Sequence, residues 1–192
     1  MSIFIDREKE LKILRERYFS KNPEFLIIYG RRRIGKSELV DQFIKSKDII
    51  GIRLLAREES KYMQLKRFKE KLATFFKDLM LEKMEFQDWD SFFEYLYEKT
   101  KNKRIVIAID EFPYLIKEDK SLPSILQAYW DEKLRKTKIF LILLGSSVSM
   151  MEKLLGYKSP LYGRRTGQIK LKPLSFVDFF NYIGDLKKSV EV

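Results

Sequence analysis

Gly30-Arg31-Arg32-Arg33-Ile34-Gly35-Lys36-Ser37 fits the pattern G-x-x-x-x-G-K-[ST] at every required position, the signature of a loop that cradles phosphates. Each residue type has a physical task. Glycines let successive backbone N–H groups converge on phosphate oxygens, the lysine adds a point charge at the terminal phosphates, and the hydroxyl reaches a Mg²⁺ ion. The flanks agree with this reading. Phe25-Leu26-Ile27-Ile28-Tyr29 reads as a buried strand. Leu39, Val40, Phe43 and Ile44 fall on one face of a helix whose positive dipole end points at the phosphates. The competing reading, a Gly- and Arg-rich surface turn, requires neither flank.

The second informative stretch is Arg104-Ile105-Val106-Ile107-Ala108-Ile109-Asp110-Glu111. An apolar, β-branched run ending in two carboxylates places Asp110 at the C-terminal end of a buried parallel strand, where α/β sheets hold their ligands. It fits a Walker B segment, with Asp110 holding Mg²⁺ through its water shell and Glu111 orienting the attacking water. Alone the pattern is weak; about 70 residues downstream of a phosphate loop it becomes strong.

A third segment reaches the same edge. Ile139-Phe140-Leu141-Ile142-Leu143-Leu144 reads as another buried strand delivering Gly145-Ser146-Ser147. Ser146 and Ser147 are either polar sensors of the terminal phosphate or lytic water, or caps of the next helix. Ser149 and Glu152 have capping-box spacing, which favours the sensor reading for the earlier serines. Beyond them, Arg164 either neutralises transition-state charge, on its own nucleotide or a neighbour's, or is one more surface arginine. Gln168-Ile169-Lys170-Leu171 reads as a fifth strand.

Between these segments the pattern is that of packed helices. Asp6 is a plausible N-cap for a helix carrying Leu11, Leu14 and Tyr18. Ile49-Ile50-Gly51-Ile52 reads as a strand, and Leu65, Phe68, Leu72, Phe75 and Leu79 predict a helix over about residues 61–80. Asp88 or Asp90 caps a helix burying Trp89, Phe92, Phe93 and Leu96; helical spacing favours core packing over base stacking for these rings. Pro113 ends the Walker B strand, and Leu122, Ile125, Leu126, Tyr129 and Trp130 mark another core-facing helix. Ser175 and Asp178 have capping-box spacing ahead of Phe176, Phe179, Phe180 and Tyr182.

Composition bounds the chemistry. The 192 residues suit one core, taken as residues 1–182, with a polar tail at 183–192. Cysteine and histidine are absent, so disulfides, thiol nucleophiles and Cys-ligated zinc are excluded, and acid–base work falls to carboxylates, Lys, Tyr or metal-bound water. No apolar run spans a bilayer, and charge arrives at Asp6 and Arg7, so a cytoplasmic protein is expected. The net charge of +11 points either to a polyanion such as nucleic acid or to a thermophile-type surface rich in Lys, Glu and Arg; the second is preferred.

These blocks, taken together, resemble the archaeal ATPase family of AAA+-related P-loop proteins, often grouped with the STAND signalling ATPases. The resemblance runs from about Phe4 to Tyr182. It rests on Phe4-Ile5-Asp6-Arg7-Glu8-Lys9-Glu10-Leu11, Tyr29 to Ser37, Asp110-Glu111-Phe112-Pro113-Tyr114-Leu115, Gly145-Ser146-Ser147 and Leu161-Tyr162-Gly163-Arg164. It implies an α/β, three-layer P-loop NTPase fold (ASCE, AAA+-like) with a five-stranded parallel sheet in the order 5-1-4-3-2. It also implies that Ile5 and Arg7 lie near the adenine and that Arg164 stands where related ATPases place an arginine finger. Such relatives continue into a helical lid and a winged-helix-like region, whereas this chain ends at Val192, so the expectation is a core without lid-borne nucleotide contacts that binds nucleotide and hydrolyses it weakly.

The leading expectation is a Mg²⁺-dependent ATPase whose hydrolysis resets a conformational switch. Nucleotide contacts fall to Ile5, Arg7, Gly30, Arg31, Arg32, Arg33, Ile34, Gly35, Lys36, Ser37 and Glu38, the metal to Ser37 and Asp110, and catalysis to Glu111, Lys36, Ser146, Ser147 and Arg164. The alternative is a nucleotide-gated DNA- or protein-binding module with little turnover. A small-molecule kinase is weaker, because the acidic pair suits water activation; GTP is disfavoured by the lack of an N-K-x-D motif. Expected partners are ATP and ADP, a second copy through the arginine finger, and DNA or protein, with no membrane.

Overall fold

The computed structural model describes residues 7–173. Five strands, β1 (Glu24–Tyr29), β2 (Gly51–Leu55), β3 (Ile105–Asp110), β4 (Ile139–Gly145) and β5 (Gly167–Lys170), form one parallel sheet ordered β2-β3-β4-β1-β5. From the other edge this is 5-1-4-3-2, the order implied by the resemblance. Every pairing is parallel, so β1, β3 and β4 all end at one edge, where Tyr29 lies opposite Gly145 and Ile109 opposite Leu143.

Strand periodicity divides the core into two layers. On one face Phe25, Ile27, Ile107, Ile109, Leu141 and Leu143 pack with α3 (Lys61–Phe76), α5 (Trp89–Thr100), α6 (Phe112–Glu118), α7 (Leu122–Glu132) and α8 (Val148–Leu155). On the other, Leu26, Ile28, Val106, Ala108, Phe140 and Ile142 pack with α1 (Glu8–Phe19) and α2 (Lys36–Ile44). Both faces of the three central strands are therefore covered, and their unbroken apolar runs follow from that burial.

Several boundaries differ from the sequence expectation. The second strand begins at Gly51, not Ile49, because Ile49 N–H closes a turn on the Ser46 carbonyl and its side chain fills the α1/α2 layer. Gly51 must pack against Val106: a Cβ would stand 2.6 Å from the valine Cβ. The helix expected to run to residue 80 stops at Phe76, where Lys77 turns left-handed (φ 52°) and Asp78 caps α4 (Leu79–Lys83), leaving Leu79 exposed.

Asp88, not Asp90, caps α5 through a capping box with Ser91, and Trp89, Phe92, Phe93 and Leu96 are core residues. Asp110 ends β3 directly, since Glu111 adopts φ 54°; Pro113 sits in the first turn of α6, where its missing N–H costs no helical bond. Ser149 lies inside α8, whose N-cap position is Ser147, so its capping-box spacing is coincidental. The first helix has Arg7 at its N-cap position. Asp6 and the capping pair Ser175 and Asp178 lie outside the described residues.

Candidate nucleotide site

The loop between β1 and α2 follows its sequence closely. Gly35 (φ 87°) and Arg33 (φ 63°) turn the backbone left-handed immediately before α2, so the first free N–H groups of that helix face the loop's interior. Gly30 (φ 155°) has a different constraint: a Cβ there would overlap the carbonyl oxygen of Leu171, which follows β5. Lys36 is 6% exposed, and its ammonium donates to the carbonyls of Gly30 (3.0 Å) and Arg31 (2.8 Å). Burial lowers its pKa, the Glu111 and Asp110 charges oppose that shift, and Arg32 adds to it.

Ser37, in the first turn of α2, donates its hydroxyl proton to Asp110 Oδ2 at 2.7 Å. Asp110 is 1% exposed, and chain donors serve both its oxygens: Arg53 Nη1 reaches Oδ2 at 2.8 Å and the Glu111 N–H reaches Oδ1 at 2.9 Å. The next carboxylate is held from the neighbouring strand end. Glu111 Oε2 accepts from the hydroxyl (2.8 Å) and N–H (3.2 Å) of Ser146. The ends of β1, β3 and β4 thus bring Ser37, Asp110, Glu111 and Ser146 into one hydrogen-bonded group, with Lys36 beside it on the loop carbonyls.

Other predicted residues are placed less centrally. Arg31, Arg32 and Arg33 are exposed, with Arg32 donating to the Tyr114 hydroxyl at 3.0 Å. Arg7 is buried and donates to the carbonyls of Ile34 (3.1 Å) and Lys172 (2.8 Å), tying the N-terminal segment to the loop. Glu38 accepts from Gln42 along α2, and Ser147 makes no side-chain cap bond. Ile5 lies outside the described residues. Arg164 is not brought to the group: it pairs with Asp131 at 2.8 Å and precedes β5, whose Gly167 lies opposite Leu26 near the start of β1. That is the opposite edge of the sheet, about a strand length from the phosphate loop.

Sequence reasoning missed Arg53 and Asp41. Arg53 forks onto Asp41 with two 2.7 Å bonds and is the lone charge in β2. Both residues carried a signal, an arginine directly after the apolar run Ile49-Ile50-Gly51-Ile52 and an aspartate one helical turn beyond Ser37.

A parallel sheet in this order, with a phosphate loop after its first strand and an acidic pair at the end of its third, defines a P-loop ATPase core. The chain belongs to the family of ATPase domains found predominantly in Archaea, which it matches over residues 4–191.

An uncharacterized protein of Methanocaldococcus jannaschii is 45% identical over 175 residues, 91% of this chain but 37% of that protein. An uncharacterized ATP-binding protein of the same organism is 36% identical over 47 residues, 24% of this chain and 80% of its own. Among solved structures, a Walker-type ATPase of Pyrococcus abyssi superimposes with TM-score 0.71 at 25% identity, covering 98% of this chain and 59% of its own. The ORC2 protein of Aeropyrum pernix, solved with ADPNP and ADP, shares the fold at TM-score 0.66 and 14% identity, over 95% and 52% of the two chains. The chain therefore spans little more than half the length of these structural neighbours, and less of its longest curated relative. Among the described residues no helix is long and apolar enough to cross a membrane.

Proposed function

We propose that this domain binds ATP with Mg²⁺ and hydrolyses it as a STAND-type conformational switch. The observation that carries this is the 2.7 Å bond between Ser37 and Asp110, which joins the phosphate loop to the acidic strand end. A hydroxyl and a carboxylate are hard oxygen donors suited to a partly hydrated Mg²⁺, so the residues present fit the ion. When bound, it would screen the charge of the β- and γ-phosphates.

The chain's own groups have separable tasks. Lys36 exchanges its loop carbonyls for phosphate oxygens, assisted by the N–H groups of residues 31–38. Ser146 fixes one oxygen of Glu111 and leaves the other to align water. Arg7 supports the adenine side by bracing Ile34, and Ile5 is assigned to the same side from the sequence resemblance. Arg164 serves a neighbouring copy, a reading supported by its place on the opposite edge from its own loop. A nucleotide-gated DNA-binding output is the second reading, favoured by the net charge of +11.

Nucleotide affinity and steady-state turnover test these assignments. Lys36→Ala is expected to abolish ATP binding, and unchanged binding rejects the site. Glu111→Gln should bind ATP normally and hydrolyse it about 100-fold more slowly; turnover at the parent rate removes Glu111 from the mechanism. The DNA reading requires DNA affinity to differ between the ADP and ATP states.

A further inference from the structure

The carboxylate that the proposed function gives to the metal already has a cation beside it. The β2–β3 register sets Arg53 opposite Ala108, and strand alternation puts Ala108 and Asp110 on the same face, under α2. From there the guanidinium uses all three of its nitrogens. Nε and Nη2 fork onto Asp41 of α2, and Nη1 reaches Asp110 Oδ2, the same oxygen that accepts from Ser37. Asp41 lies one turn beyond Ser37, so a single side chain ties α2, β2 and β3 together beside the metal-side residues.

The electrostatic consequence follows from burial. An ionised carboxylate that is 1% exposed needs a compensating charge. Arg53 supplies it permanently, and its planar fork on Asp41 keeps it in place. Counting the charged groups of the site and its loop, Glu38, Asp41, Asp110 and Glu111 oppose Arg31, Arg32, Arg33, Lys36 and Arg53. A bare divalent ion would meet a group with no net negative charge. A nucleotide adds several negative charges and reverses that balance.

We propose that Arg53 is a resident counter-cation for Asp110: a positioning residue that keeps bare divalent metal out and makes metal binding conditional on nucleotide phosphates. The inference rests on the reading of Asp110 as the metal-side carboxylate. Its main test uses no nucleotide, and a separate metal-free ADP titration keeps its failure distinguishable from that of nucleotide binding.

The probe is Mn²⁺, titrated into the metal-free full chain and followed by electron paramagnetic resonance. The parent and Arg53→Lys should show no Mn²⁺ binding that depends on Asp110. Arg53→Gln should bind Mn²⁺ about tenfold or more tightly than the parent, and adding Asp110→Asn should abolish the gain. No gain in Arg53→Gln, or a gain that survives Asp110→Asn, overturns the proposal. If Arg53→Gln does not fold, the parent decides: bare Mn²⁺ binding that Asp110→Asn abolishes overturns it, and Mn²⁺ binding only with ADP present sustains it. A separate metal-free ADP titration of the parent tests the nucleotide site.

Discussion

Replacing Ser146 with alanine isolates one link in the proposed hydrolytic group. Glu111 is a non-glycine residue at φ 54°, a conformation costing about 1–2 kcal/mol, so its side chain needs outside support. Ser146 gives that support through two bonds to Oε2, and Ser146→Ala removes the 2.8 Å hydroxyl bond while sparing the 3.2 Å N–H bond. A hydrogen bond to a charged group contributes roughly 1.5–3 kcal/mol. Both residues are only half-buried, so the lower end applies, and about 1.4 kcal/mol of lost positioning slows turnover about tenfold. Single-turnover hydrolysis at saturating MgATP measures this, with a fluorescent nucleotide reporting affinity. Affinity should stay within about twofold of the parent, because Ser146 bonds neither Lys36 nor Ser37. Ser149→Ala is the control, since that side chain is exposed inside α8, and Ser146→Thr should restore the rate. Parent-like hydrolysis by Ser146→Ala, or equal losses in the two alanine variants, would refute the positioning role.

Three further expectations concern stability. Gly30→Ala should cost about 3 kcal/mol or more in urea unfolding, because strain at φ 155° adds to overlap with the Leu171 carbonyl; Gly35→Ala, with open space around its Cβ, should cost only about 1 kcal/mol. Equal losses would show that the Leu171 contact is unimportant. Arg104→Met should destabilise by about 2–4 kcal/mol, since the guanidinium donates to the carbonyls of Arg17, Tyr18, Asn22, Lys138 and Ile139 and lies over the Tyr18 and Phe140 rings; a loss under about 0.5 kcal/mol would deny it that role. Asp78 is held at about 2 by Lys99 and by the N–H of Leu81. A depressed carboxylate pKa contributes stability above the unfolded-state value and loses it as pH falls through the folded one. Asp78→Asn should therefore cost about 1 kcal/mol at pH 6, an effect that shrinks between about pH 4 and 2; a pH-independent difference would exclude the charge.

The parts legible in the sequence were those whose chemistry is local. The phosphate loop is eight consecutive residues, and Asp110-Glu111 closes an apolar run that only a buried parallel strand explains. What escaped depends on register or on the path of the chain. With the second strand set at Ile49–Ile52, Arg53 fell beyond its end and had no face. The register beginning at Gly51 puts it under α2, bonded to residues 12 and 57 positions away. Ser146 could be placed at the right edge, but its grip on Glu111, 35 residues earlier, required the β3–β4 alignment. Nearness in sequence to the Ser146 strand end does not bring Arg164 to its own loop. After β4 ends at the site, α8 and the turn after it return the chain to the far edge, because a strand parallel to β1 must start beside the start of β1.

The same geometry gives the two carboxylates different chemistry although they are adjacent in sequence. Asp110 ends a buried strand, points under α2, and has both oxygens bound by fixed donors, one of them cationic. A metal or its water that takes Oδ2 must displace Ser37 or Arg53, so binding at that oxygen is a replacement whose balance depends on the charge brought by the nucleotide. Glu111, one residue later, has left the strand through a left-handed turn and, among the described residues, is gripped on Oε2 alone. A water molecule can therefore be taken up at its other oxygen without breaking an existing bond. The strand end thus separates a carboxylate tuned for ion exchange from one available for proton chemistry, and the left-handed conformation at residue 111 causes that division. Glu111→Gly is the variant that relaxes it. Removing the side chain must abolish hydrolysis, while the Glu111 N–H bond to Asp110 Oδ1 depends only on the backbone and should keep nucleotide affinity within about threefold of the parent. A larger loss of affinity would show that the two carboxylates act as one unit.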